Sequence, residues 1–184
     1  MSQAPAAQTG ENAAGSDPGH RFFRPVLAFF IVFVALQISS GFVLYVWKIG
    51  LDPALTLEYY AGSEVMLEYY PERPDRFMQP RSFAGLTKIA VGQLLAYGTI
   101  AFILTHLVRS LAGKPSRRLE AACTALYALA LLEIVSGYLV VYAPLVGPPL
   151  RTLIFVLFEA AMAGFLVILI ALARAKARPA GAVS

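Results

Sequence analysis

The stretch 25-PVLAFFIVFVALQISSGFVLYVW-47 runs for 23 residues without a charge. At about 1.5 Å of rise per residue, a helix of that length crosses a hydrocarbon layer roughly 30 Å thick. Backbone amides in lipid must be bonded within the structure itself, so such a run reads as a helix. Residues 86–108, 120–142 and 150–173 repeat the pattern. With 58% hydrophobic and 14% charged residues, the chain falls outside the balance of a soluble domain. The expected fold class is all-α: a four-transmembrane-helix bundle. No small-residue cleavage site follows Trp47, so the first run is expected to remain as an anchor.

Charge sets the expected orientation. Arg21 and Arg24 precede the first run, Arg109, Lys114, Arg117 and Arg118 link the second and third, and Arg174, Lys176 and Arg178 follow the fourth. These nine of the fifteen basic residues fall on one side of the membrane. The positive-inside rule makes that side cytoplasmic, with both termini inside. The same distribution explains the net charge of +4 without nucleic acid, because no basic stripe forms. Residues 1–20, poor in large apolar side chains, predict a disordered cytoplasmic tail. Residues 21–178 form the membrane domain and 179–184 a second cytoplasmic tail. Cys123, the single cysteine, lies inside the third span and reads as a packing residue.

The outer loop, 48–85, writes Leu-Glu-Tyr-Tyr twice, at 57–60 and 67–70. Asp52-Pro53 reads as an N-cap followed by proline at the first helical position, and Gly62 as a stop. Ser63 is the expected cap of a second short helix that Pro71 ends. Both helices are predicted to be interfacial, lying on the outer leaflet or against a partner. Tyr59, Tyr60, Tyr69 and Tyr70 are then an aromatic belt or a docking patch. The loop carboxylates lack the compact alternation of an EF-hand, so no metal site is assigned.

Spans one and three share a phrase, 36-LQISSGFVLY-45 against 132-LEIVSGYLVVY-142. The internal repeat predicts two tandem helical hairpins, with Gln37, Ser40 and Gly41 matching Glu133, Ser136 and Gly137. Counted from the outer ends, Glu133 and Glu159 both lie about 13 Å deep, near Gln37 and Gln93. An intramembrane polar layer of Gln37, Ser40, Gln93, Glu133, Ser136 and Glu159 is expected. A charge at that depth costs on the order of 3 kcal/mol even on the lenient insertion scale, so the layer is either a clasp or a site. As a clasp, protonated glutamates hydrogen-bond to glutamines and serines. As a site, it conducts protons or small cations, or holds a quinone or similar ligand. Arg151 and Lys88 stand near the outer span ends as further partners for a carboxylate.

His106, in 104-LTHLVRSL-111, is the one intramembrane histidine. It is a candidate contact for haem or a lipid headgroup, but bis-histidine ligation would require His20 from the interface. The sequence carries no metalloprotease, nucleotide-binding or nucleophile-elbow phrase and nominates no catalytic residue.

The phrases 59-YYAGSE-64, 80-PRSFAGL-86, 105-THL-107 and 133-EIVSGYLV-140 resemble a group of small four-span bacterial membrane proteins of no settled biochemical role. The resemblance implies two histidines at the outer start of span two, at positions occupied here by Val91 and Gln93. Their absence implies a structural role over redox chemistry. The expectation is therefore a non-enzymatic, multi-pass protein of the bacterial cytoplasmic membrane, an accessory or anchor subunit packed against a larger complex or against its own copies. The alternatives are a proton, cation or solute conduit using Glu133 and Glu159, and an electron-transfer subunit associated with quinone or haem b. No cofactor is assigned.

Overall fold

The computed structural model describes residues 18–74, 76–114 and 116–177, with side-chain environments from residue 24 to 176. The expected tails lie almost wholly outside them. Six α-helices follow in chain order: α1 (Pro18–Leu44), α2 (Pro53–Ala61), α3 (Ser63–Tyr69), α4 (Phe83–Ala112), α5 (Arg117–Tyr142) and α6 (Gly147–Ala177). Four of them are long and apolar enough to cross a membrane, at Arg24–Ile49, Phe83–Ala112, Arg117–Tyr142 and Gly147–Lys176. The chain is an all-helical membrane protein built as a four-helix bundle.

Polar caps start α4 and α5 a few residues ahead of their apolar stretches. Ser82 accepts a hydrogen bond from the Gly85 amide at 3.1 Å and Ser116 one from the Leu119 amide at 3.2 Å. These bonds satisfy donors that the first helical turn leaves free. At the same end of the bundle as Ser116, the Arg109 Nε bonds to Glu120 at 2.9 Å and ties α4 to α5.

Helices α4, α5 and α6 pack on one another, whereas α1 packs chiefly on α6. Leu104, Leu126, Phe158 and Leu169 fill the centre with almost no exposure, and Cys123 is buried among them. The C-terminal end of α1 passes into a π-helical turn, Tyr45–Ile49. There the Tyr45 ring stacks on Phe155 of α6 at 3.7 Å and its hydroxyl meets Thr152 at 3.2 Å. This aromatic dock fixes the top of α1.

The connection to α4 buries α2 but leaves Pro71, Glu72, Arg73 and Pro74 exposed. Asp52 caps α2 by accepting from the Ala54 amide at 2.9 Å, with Pro53 at the first position as expected. There α2 sits on α5 and α6 and forms a second core from Leu57, Tyr60, Met66, Leu86 and Val140. Gly62 separates α2 from α3 with φ of 90°, and a Cβ there would lie 2.8 Å from the Pro80 nitrogen. Only glycine meets both demands. Gly62, rather than Ser63, occupies the cap position of α3.

Candidate functional site

The end of the bundle away from the chain termini is closed around a buried carboxylate. Glu58 is fully buried on α2 and receives the Ser63 hydroxyl at 2.9 Å, the Arg76 Nε at 2.5 Å and the Arg76 backbone amide. Ser63, freed from capping, also accepts from the Met78 amide at 2.8 Å. Burial alone would raise the Glu58 carboxyl, but the bonds from Arg76 and Ser63 outweigh it and hold the group below its ordinary value. The returning segment 76–81 is thereby stitched to α2. Arg81 completes the seam, with its guanidinium 4.1 Å from the Tyr59 ring centroid and its Nε donating to the Tyr59 carbonyl at 3.2 Å.

The duplicated tetrapeptide thus has two fates. Tyr59 and Tyr60 are buried, while Tyr69 is exposed and Tyr70 half-buried. A continuous four-tyrosine docking patch does not exist, because the first copy packs inward. Tyr60 reaches α5, where a Cβ on Gly137 would stand 3.4 Å from its ring. Burial pushes its phenol up to about 12, so it stays protonated.

Beneath Tyr60 lies an ion pair buried between α5 and α6. Arg151 of α6 donates from Nη2 to the Glu133 carboxylate of α5 at 2.7 Å. Its Nη1 bonds to Ser136 Oγ at 2.8 Å and to the Glu133 carbonyl oxygen. Ser136 in turn donates to that same carbonyl at 2.6 Å. The Tyr60 ring covers the guanidinium at 5.3 Å. By helical rise, Arg151 starts about 6 Å from the start of α6 and Glu133 about 13 Å from the end of α5. The extended arginine side chain closes the difference. The expected clasp of glutamates with glutamines is therefore replaced, at Glu133, by a clasp with arginine. Glu133 Oε2 and Arg151 Nε are left without a protein partner. Beside Arg151, Gln93 and Tyr60 line a cavity of ≈ 10 Å³, about the space of one water.

Glu159 belongs to a different place. It is half-buried on α6, facing Gln37 of α1 and Tyr97 of α4 around a separate cavity of ≈ 10 Å³. Gly41 lets α1 approach it, since a Cβ there would lie 3.2 Å from Glu159 Oε1. Gln37 is exposed, and no hydrogen bond among the described residues engages its amide. Ser40 is exposed too, with its hydroxyl bonded to the Gln37 carbonyl at 3.2 Å. The six polar residues therefore split: Glu133 and Ser136 join Arg151, flanked by Gln93, while Gln37 and Glu159 line a separate small cavity and Ser40 bonds only to its own helix. Matched positions of the repeat differ: Glu133 is buried where Gln37 is exposed.

His106 is exposed on α4 and stacks on Phe102 at 6.0 Å. Among the described residues no group of three His, Cys, Asp or Glu side chains converges.

No curated protein and no solved structure matches the chain. Residues 50–179, more than half of the sequence, match a family described as a transmembrane helical domain. That region carries the cap, the Glu58 seam and the Glu133–Arg151 pair, and leaves out the whole of α1. The chain belongs to this transmembrane helical domain family, Aq_1264_TM.

Proposed function

We propose that the protein is a non-enzymatic accessory or anchor subunit of a bacterial cytoplasmic membrane, with both termini cytoplasmic and α1 as the helix that meets its partner. The observation carrying this reading is the state of α1. Only 11% of its apolar window is buried within the chain, against 39% for α5 and α6. It nevertheless holds Gln37 at mid-span, where a bare amide is costly and a hydrogen bond to a neighbouring helix stabilises association. The arginine clasp supports the same reading, because Glu133 is committed to holding α5 against α6. Purification in mild detergent tests it: a stoichiometric membrane partner, or a second copy, is expected with the native chain and should be depleted by Gln37→Leu. Equal retention by Q37L would overturn the role given to α1.

Glu159 favours a second reading, a proton or cation conduit, since this half-buried acid beside Gln37 and Tyr97 has no salt-bridge partner among the described residues. Flux in liposomes that is abolished by Glu159→Gln with folding intact would establish it against the accessory role.

A further inference from the structure

Where α1 and α4 stand apart over α6, a groove of ≈ 620 Å³ opens at the end of the bundle that carries the chain termini. That volume lies in the range of sites that hold small ligands. Its walls come from three helices, with Ala28 and Ile31 on α1, Leu111 on α4 and Ile170 on α6. Its mouth is basic: Arg24 from α1 and Arg174 and Lys176 from α6 line it, and no acidic residue does. None of the three is in a salt bridge among the described residues. Other basic residues at this end, Arg117 and Arg118, do not line it, so the three cations do more than mark a membrane side.

We propose that this groove seats one anionic phospholipid from the leaflet at that end, with an acyl chain between α1, α4 and α6 and its phosphate held by Arg24, Arg174 and Lys176. Cations from two helices converge above an apolar slot, which suits a ligand carrying its charge at one end and hydrocarbon at the other. A soluble phosphate would leave the slot unused, and a neutral lipid would leave the cations without a counter-charge. The small side chain of Ala28 keeps the slot open, and a second lipid-facing surface with both features is absent among the described cavities.

The test uses the full chain, delipidated in detergent and exposed to mixed vesicles of equal phosphatidylglycerol and phosphatidylethanolamine, with bound lipid read by native mass spectrometry. Phosphatidylglycerol should be retained in preference, and each of Arg24→Gln, Arg174→Gln and Lys176→Gln should weaken retention about fivefold. Ala28→Trp, which fills the slot and leaves every charge in place, should abolish it. Retention without preference for phosphatidylglycerol would overturn the proposal, as would charge variants that bind like the native chain. Full displacement by inorganic phosphate would identify a free-anion site instead. Undiminished binding in A28W would show the headgroup held without the groove. The rim positions are exposed, so the charge variants keep the test valid even if A28W does not fold.

Discussion

Arg151 and Glu133 meet at 2.7 Å with side chains only 3% and 1% exposed, in the middle of a membrane bundle and under the ring of Tyr60. A charge taken this far from water is stable only with its partner in place. Removing one member leaves the other buried and uncompensated, whereas replacing both by apolar groups of similar volume is close to neutral.

Arg151→Met alone should therefore lower stability in detergent by about 3–5 kcal/mol, and Glu133→Leu alone by a similar amount, while the double variant recovers most of the loss. Reversible unfolding in mixed micelles measures the cycle. Additive losses in the double variant would mean that the two residues act independently.

The two copies of Leu-Glu-Tyr-Tyr should respond oppositely to substitution. Tyr59→Ser with Tyr60→Ser empties the second core and should cost at least about 3 kcal/mol, as truncation of buried aromatic rings does. Tyr69→Ser should change stability by no more than about 0.5 kcal/mol, as for other surface sites. Folded yield after detergent extraction reads the difference, and equal sensitivity of the two copies would contradict the inward packing of α2.

Glu58 gives the cap a defined pH response. Its folded carboxyl lies below the ordinary value of 4.5, so the ionised form stabilises the closed loop. That contribution is complete above about pH 4.5 and is lost as the pH falls through the lower folded value. Proteolysis at the exposed Arg73 should stay slow from neutral pH down to that region and rise below it. In Glu58→Gln it should be fast throughout and insensitive to acid. An acid response that survives the substitution would assign it to another group.

Orientation is tested where the loop is exposed. A reporter inserted at Glu72 and another at Lys114 should report opposite compartments, with Lys114 cytoplasmic. Placing the first at Ala61-Gly62-Ser63 would confound the result, since Gly62 has a backbone angle that other residues adopt only at a cost of about 1–3 kcal/mol.

Helix number, the spans, the Asp52 cap and the break at Gly62 were legible because each rests on a local rule of length, charge or backbone freedom. The fate of Glu58 and Glu68 was not. Both stand in the same tetrapeptide, yet Glu58 is buried and Glu68 exposed, because α2 happens to face α5. Sequence periodicity carries no record of which neighbour a short helix meets. Arg151 was legible as a partner for a carboxylate, but its direct bond to Glu133 was not, for a different reason. Counting residues along helices places backbones at a depth, whereas a long arginine side chain carries its charge a full helical turn away from its own Cα. The useful signal was the arginine itself, set inside the apolar start of α6 with no aqueous role to explain it.

The role given to α1 is tested most directly by a photo-crosslinking amino acid placed at Gln37 in growing cells. The account predicts one discrete adduct with another membrane protein chain, absent when the same probe replaces the exposed Leu132 of α5. Adducts with lipid alone at position 37, indistinguishable from those at 132, would contradict it.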